Sequence, residues 1–71
     1  MYRAWSVSAS DPSMLARLLE AHLNEFAAEV ISVGYAVTDA HHALAVYRAL
    51  EVGEEPRVEA ALAAAESIVG L

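Results

Sequence analysis

Hydrophobic and polar residues alternate in the first segment of the chain. In YRAWSVSA, residues 2–9, Trp5 and Val7 point to one side while Ala4 and Ser6 point to the other. A period of two residues is the pattern of a half-buried β-strand. The segment therefore predicts a first strand.

The spacing of apolar residues then changes to that of a helix. Residues 10–13 read SDPS, which supplies N-cap candidates and a proline suited to the first helical turn. Apolar residues follow at intervals of three and four, as on one face of an amphipathic helix. They are Leu15, Leu18, Leu19, Leu23 and Phe26. His22 lies in the same stripe, and the opposite side of this predicted helix is polar.

Two further strands are predicted after the helix. They are VISVGYAV at residues 30–37 and ALAVYRAL at residues 43–50, and their β-branched and aromatic content favours strands. The residues between them form the turn of a predicted hairpin, although they lack the Asn-Gly or Asp-Gly pair typical of a tight turn.

The number of residues in the hairpin loop decides which side chains share a face. With an even-numbered loop, Val37 lies opposite His42 and Tyr35 lies opposite Leu44, which gathers the bulky side chains on one face. The other face is then shallow, and we expect it to form an interface. Its residues are Ser32, Gly34, Ala36, Ala43, Ala45 and Tyr47. An odd-numbered loop would break this segregation, because a slip of one residue sends each side chain to the opposite face.

A second amphipathic helix is predicted at the end of the chain. Glu54, Glu55 and Pro56 resemble a helix start, because carboxylates are favoured at the positive end of the helix dipole. The apolar stripe that follows extends almost to Leu71. It consists of Val58, Ala61, Leu62, Ala65, Ile68 and Val69. The predicted fold is α+β, with the order β-α-β-β-α, a three-stranded, largely antiparallel sheet and one domain over residues 1–71.

Length and composition limit how this domain achieves stability. A chain of 71 residues has room for one core of marginal size, and the lack of cysteine excludes disulfides and thiolate metal sites. The first residues lack a signal-peptide pattern, and no apolar stretch is long enough for a membrane span. We expect a cytoplasmic protein that does not bind membranes and gains stability by forming a homodimer.

The charge of the chain disfavours nucleic acid as a partner. Ten acidic residues and four arginines give a formal net charge of −6, and there is no lysine. A nucleic-acid-binding protein must neutralise phosphates, which calls for a cluster of basic residues. We therefore predict no nucleic-acid binding.

His41 and His42, with Asp39 two residues before His41, form the cluster that most resembles a metal site. Neighbouring residues of a strand point to opposite faces, so one ion would not readily bind both rings unless the turn reshapes them. The alternative interpretation is that both are polar turn residues. A metal or small-molecule site at a subunit interface would use them together with Tyr35 and Tyr47. No bound cofactor is predicted.

Catalytic residues are not evident in the sequence. His22 is interpreted as a half-buried histidine with a hydrogen-bond partner, and the glycines are too far apart for a phosphate-binding loop. We predict a non-enzymatic accessory or interaction domain. The alternatives are the ligand-binding or metal-binding module and an enzyme with an inter-subunit site, in which His22 or His42 acts as the base.

The segment EVISVGYAVTDAHHALAVYR, residues 29–48, is similar to the core of small Bacillus-type sporulation proteins and related uncharacterised short bacterial proteins. In both, a helix leads into a hydrophobic strand with a tyrosine and then into a second strand that ends in a tyrosine. The matching residues are Phe26, Ile31, Tyr35, Val37, Ala43, Leu44 and Tyr47. The resemblance covers residues 2–50 and implies a bacterial protein without enzymatic activity, and it assigns no functional residue.

Overall fold

A computed structural model describes residues 1–68 and contains three strands and two helices. They are β1 (Tyr2–Ala9), α1 (Pro12–Phe26), β2 (Ala27–Val37), β3 (His41–Ala49) and α2 (Val58–Ile68). The strands form one antiparallel sheet in the order β1-β3-β2. The predicted α+β class and the order β-α-β-β-α are confirmed. Val69 and the predicted end of the second helix lie outside the described residues.

Helix α1 begins at the predicted cap. The Asp11 side chain accepts a hydrogen bond of 2.8 Å from the Met14 backbone N–H, and Pro12 occupies the first turn. This satisfies one of the amide groups that a helix start leaves without an intrahelical partner.

The apolar stripe of α1 separates into two rows with different surroundings. Leu15, Leu19 and Leu23 are fully buried, whereas Leu18 and Phe26 remain nearly half exposed. Each row repeats every four residues, so the second row runs beside the first and lies at the margin of the helix's contact with the sheet. Leu18 and Phe26 belong to the predicted apolar face but not to the core. His22, which belongs to the second row, lies at this margin as well.

Strand β2 begins directly after α1, earlier than predicted. Ala27 is the first residue of the strand, and its backbone N–H still donates to the carbonyl of Leu23 in the last turn of the helix. The strand pairing shifts between Ala27 and Glu29 and again between Val30 and Ser32. Such irregularities let the chain leave the helix and enter the sheet without a connecting loop.

The hairpin loop has three residues, which is the odd-numbered alternative. Strand β2 ends at Val37, β3 begins at His41, and the Thr38 N–H donates to the Ala40 carbonyl at 2.9 Å. As a result Tyr35 lies opposite Ala43, not Leu44, and Val37 lies opposite His41. The slip of one residue moves every side chain of β3 to the other face relative to β2.

Both helices lie on the same face of the sheet and pack against each other. Helix α1 contacts β1 and β3, and α2 contacts β2. The core between the layers contains Ala43, Ala45 and Tyr47 from the central strand. Within residues 1–68, eight of the thirteen buried apolar residues are alanine, and Leu15, Leu19 and Leu23 of α1 are the largest fully buried side chains. The core is therefore thin, and each leucine contributes a large share of it.

Glu54 does not start a helix as predicted. Its carboxylate accepts hydrogen bonds from the Arg48 guanidinium at 2.8 and 3.1 Å and from the Glu51 backbone N–H at 3.1 Å. The hydrogen bonds from Arg48 are the main reason that the pKa of Glu54 is lowered. The carboxylate stabilises the loop after β3, where Gly53 adopts a φ of +86° that favours glycine.

Helix α2 begins at Val58 and is buried along an alanine-rich face. Its buried residues are Ala61, Ala64, Ala65 and Ile68. Val58 and Leu62, which belong to the predicted apolar stripe, are exposed. Small side chains let α2 approach β2 and α1 closely. In the described part of the chain, neither helix combines the length and apolar content needed to cross a bilayer.

Candidate functional site

The two histidines of the hairpin lie on opposite faces of the sheet. The His41 ring stacks near Tyr35, and its Nδ1 is 2.6 Å from the Tyr35 Oη. The His42 Nε2 is 3.0 Å from the Thr38 Oγ1 on the other face. Since β3 is already regular at these residues, the turn does not bring the two rings together.

Each hairpin histidine is thus held by a hydroxyl group. The Thr38 hydroxyl donates to the Asp39 carboxylate at 2.9 Å, which is the main reason that the pKa of Asp39 is lowered. Among residues 1–68, no group of three or more histidine or carboxylate side chains is placed to hold a metal ion. Tyr35, His41 and His42 therefore form two separate hydrogen-bonded pairs, with Thr38 as the partner of His42.

The residues predicted as one shallow interface are divided between the two faces. Ala43, Ala45 and Tyr47 of β3 are buried beneath the helices. Ser32, Gly34 and Ala36 of β2 lie on the uncovered face, and none of them is buried. The single face proposed from the even-numbered loop is therefore wrong, because the three-residue loop reverses β3 relative to β2.

The uncovered side of the sheet, called here the open face, combines side chains from all three strands. The strand register forms four rows across this face, each with one residue of β1, β3 and β2. They are Ser8, His42 and Ala36; Ser6, Leu44 and Gly34; Ala4, Val46 and Ser32; and Tyr2, Arg48 and Glu29. The first three rows carry no acidic or basic residue except His42. In the last row Arg48 is neutralised by Glu54 at 2.8 Å and Glu29 at 3.7 Å.

The open face has a central ridge with shallow flanks. Leu44 and Val46 of β3 are bordered by alanine, serine and glycine of the edge strands. A depression of about 570 Å³ lies between the ridge and these small side chains. Its side-chain lining on this face comprises Ser6, Ser8, Gly34, Ala36, His42 and Leu44.

A second candidate site lies on the helix-covered side, around His22. The imidazole stacks on Trp5 with ring centroids 3.9 Å apart and planes 7° apart. Its Nε2 is 2.9 Å from the Tyr47 Oη, and Phe26 lies against it with centroids 4.8 Å apart. The interpretation of His22 as a half-buried histidine with a hydrogen-bond partner is confirmed. The imidazole is oriented by three aromatic side chains from three different elements.

A groove of about 430 Å³ opens beside this cluster at the C-terminal end of α1. Arg3 of β1 lies directly opposite Tyr47 in the sheet and forms one wall. Glu25 and Phe26, one helical turn beyond His22, contribute the helix side, and Leu50 adds apolar lining. The groove therefore combines two opposite charges, an imidazole and apolar surface.

We find no match to this chain among protein-family models, curated proteins or solved structures.

Sequence reasoning missed the groove but found one of its members. The signal was a histidine inside the apolar stripe of α1. Trp5 and Tyr47 are far from His22 in sequence, and their meeting depends on the register of β1 against β3. The sequence pattern predicted both strands but did not predict their order in the sheet.

Protonation of His22 should destabilise the protein. Burial lowers the pKa of His22 by more than the negative charge of Glu25 raises it. A lowered folded-state pKa means that this stabilising contribution is complete above the unfolded pKa of about 6.5 and is lost as the pH falls below it toward the folded pKa. We expect the Tm of the wild type to fall between about pH 7 and pH 5 more steeply than that of the His22→Gln variant.

The same titration can be followed through fluorescence, because Trp5 is the single tryptophan and stacks on the His22 ring. An imidazolium quenches indole more strongly than a neutral imidazole does. Parallel Tm profiles for wild type and His22→Gln, together with a Trp5 emission change centred near the ordinary histidine pKa of about 6.5, would show that burial does not lower the pKa of His22 in the folded state.

Proposed function

We propose that this chain is a small, non-enzymatic interaction domain that forms a homodimer by packing its open face against that of a second copy. The observation that carries the proposal is the lack of unpaired charge on the open face. Charged residues make up 20% of the sequence, yet the three rows centred on His42, Leu44 and Val46 contain neither carboxylate nor arginine. Depletion of charge is typical of the buried centre of a protein interface.

Gly34 gives independent support. It does not have a positive φ, and a Cβ atom built on it would meet nothing nearer than the Leu44 carbonyl oxygen at 4.0 Å. Neither the backbone conformation nor crowding inside the chain requires glycine at this position. Glycine weakens a strand interior and often marks a close approach of another backbone. A second copy seated over Gly34 supplies that approach.

The thin core favours the same assembly. A chain of this size buries only about 60% of the surface that its unfolded state exposes, and oligomerisation is one route to added stability. Here the described core consists mainly of alanine. Covering the open face would bury additional apolar surface around Leu44 and Val46.

The size of the open face sets the expected affinity. Three strands and about seven residues of length give a flat patch of roughly 300 Å² per copy, or about 600 Å² for both. This estimate leaves out the additional area that protruding side chains contribute. Stable complexes bury about 1,200–2,000 Å², so the flat patch gives about half of the lower limit, as in a weak, transient interface. We therefore expect a dimer that dissociates in the micromolar range.

A cytoplasmic setting, which the lack of cysteine favours, belongs to the same proposal.

Leu44→Glu should abolish the dimer, and Leu62→Glu is the matched control. Leu44 lies in the middle of the open face and is 49% exposed, whereas Leu62 lies on α2 and is 46% exposed. A carboxylate at Leu44 would be desolvated in the dimer close to an identical charge. Light scattering across a concentration series should show a dimer for wild type and Leu62→Glu and a monomer for Leu44→Glu, with the Kd raised at least about 100-fold.

Gly34→Val adds a test that a folding defect cannot imitate. Valine is favoured in strands and has room in the isolated chain, so the monomer should keep or gain stability. The dimer should weaken by at least about tenfold, because the added side chain separates the two backbones. A wild type that stays monomeric at every concentration would refute the proposal, as would a dimer unaffected by both open-face substitutions.

A further inference from the structure

We propose that the groove beside His22 binds a free α-amino acid with an apolar side chain, in its zwitterionic form. The inference concerns the helix-covered side of the sheet and goes beyond dimer formation, which uses the open face. It rests on three features of the groove: two opposite charges that do not pair with each other, the C-terminal end of α1, and an apolar wall.

The groove contains two opposite charges. Arg3 and Glu25 both line the groove, yet neither forms a salt bridge with any of residues 1–68, whereas Arg48 is paired twice. Two opposite charges that share one groove but lie too far apart to pair are suited to a ligand with both a carboxylate and an ammonium group. The guanidinium of Arg3 can bind the carboxylate through two parallel hydrogen bonds. Glu25 provides the acceptor for the ammonium group.

The end of α1 reinforces the ammonium side. The C-terminal end of a helix carries a partial negative charge, which favours a cation there. The last turn of α1 contains no basic residue that would supply one. A ligand ammonium beside Glu25 would interact with both the carboxylate and the helix terminus.

The rest of the groove suits an apolar side chain. Phe26 is 46% exposed although it is aromatic, and Leu50 and Ala49 extend the same surface. Tyr47 and His22 line the groove as well. The volume of about 430 Å³ falls within the range of about 300–1,000 Å³ typical of small-molecule sites.

The net charge of the chain argues for a zwitterion over an anion. A formal charge of −6 repels anionic ligands, and a single exposed arginine beside a glutamate does not offset that repulsion. A ligand with no net charge is indifferent to the field of the whole protein. It would still interact with Arg3 and Glu25 individually.

The test uses L-leucine as the probe, with 4-methylpentanoate and isoamylamine as matched compounds that lack the ammonium and the carboxylate, respectively. Binding is followed by the emission of Trp5 and by NMR signals of the His22 ring, since these two rings are stacked at the groove. A ligand of this size should bind with a Kd on the order of 1 mM. The two matched compounds should bind at least about tenfold more weakly.

Three variants test the assignment of the charges. Arg3→Gln and Glu25→Gln should each raise the Kd for L-leucine by about tenfold or more. Arg17→Gln should leave the Kd unchanged, because Arg17 lies on α1 like Glu25 but outside the groove. The inference is overturned if Trp5 and His22 do not respond to L-leucine at about ten times that Kd. It is also overturned if 4-methylpentanoate or isoamylamine binds equally well, or if Arg17→Gln weakens binding as much as Arg3→Gln.

The oligomeric state is measured separately in the same samples, by light scattering. Loss of the dimer with retained leucine binding would refute the dimer proposal alone. A dimer that does not bind leucine would refute the amino-acid site alone. The two proposals can therefore fail independently.

Discussion

Leu19→Ala should lower the free energy of unfolding by about 2–5 kcal/mol, the largest effect expected of any substitution considered for this protein. Leu19 is 0% exposed and lies in the middle of the buried row of α1. The loss combines the transfer energy of the removed methyl groups with the energy of the cavity that they leave. Little compensation is available, because the neighbouring core side chains are mostly alanines that cannot move into the space.

The loss expected for Leu19→Ala is large compared with the total free energy of unfolding of the chain. Domains have about 0.05–0.15 kcal/mol of stability per residue, so a chain of this length is expected to have roughly 4–10 kcal/mol. A loss of several kcal/mol would leave Leu19→Ala only marginally folded at room temperature. The measurement is urea unfolding followed by circular dichroism. It should be made in the Leu44→Glu background, because a dimer makes apparent stability depend on concentration.

Leu18→Ala is the control for Leu19→Ala. The two leucines are adjacent, the substitution is the same, and its effect on helix propensity is equal at both positions. Leu18 is 43% exposed, however, and its truncation should cost less than about 1 kcal/mol. Equal losses at the two positions would mean that α1 is rotated relative to the sheet and that the row of Leu15, Leu19 and Leu23 is not the one that packs inward.

The elements of the fold could be predicted because each has a strong local cause. Asp11 and Pro12 define the start of α1, and its periodicity is carried by large side chains. The alternation in β1 likewise needs no knowledge of a partner. The second helix was harder to delimit, because Glu54 and Glu55 resemble a helix start while the preference of Glu54 for Arg48 depends on the folded loop.

The register of the hairpin could not be predicted, and the candidate interface depended on it most. Two polar loops differing by one residue fit the segment from Thr38 to His42, and the pattern of β3 alone does not choose between them. The sequence ALAVYRA contains apolar residues at both odd and even positions, so each register buries a plausible set. The structure buries the alanines and Tyr47 and leaves Leu44 on the open face. This reverses the ordinary preference for burying the larger side chain.

That reversal explains why the sheet still has a face suited to an interface, although its residues are not those that an even-numbered loop would bring together. Alanine beneath the helices lets α1 and α2 approach the sheet closely, which a row of leucines would prevent. The larger side chains of the central strand are then exposed, and they form a ridge that a second copy can cover. The predicted shallow face combined small residues of both strands, whereas the open face takes Ser32, Gly34 and Ala36 from β2 but Leu44 and Val46 from β3. The open face consequently has a ridge where a flat surface was expected.

Substitution of two alanines by leucine distinguishes the observed register from that of an even-numbered loop. Ala45→Leu should destabilise the protein by about 1–3 kcal/mol, because the added atoms have no space beneath the helices and force strain on the core. Ala45 is 0% exposed at the centre of the sheet. Ala36→Leu introduces the same side chain on the open face of β2 and should change stability by no more than about 0.5 kcal/mol.

An even-numbered loop would place Ala36 and Ala45 on the same face, where leucine should have comparable effects at both positions. The observed three-residue loop places them on opposite faces, so the two effects must differ. Urea unfolding in the Leu44→Glu background measures both without interference from dimer formation. Similar losses for Ala36→Leu and Ala45→Leu would refute the observed register. Because the open face exists only in that register, such a result would remove the basis for the homodimer as well.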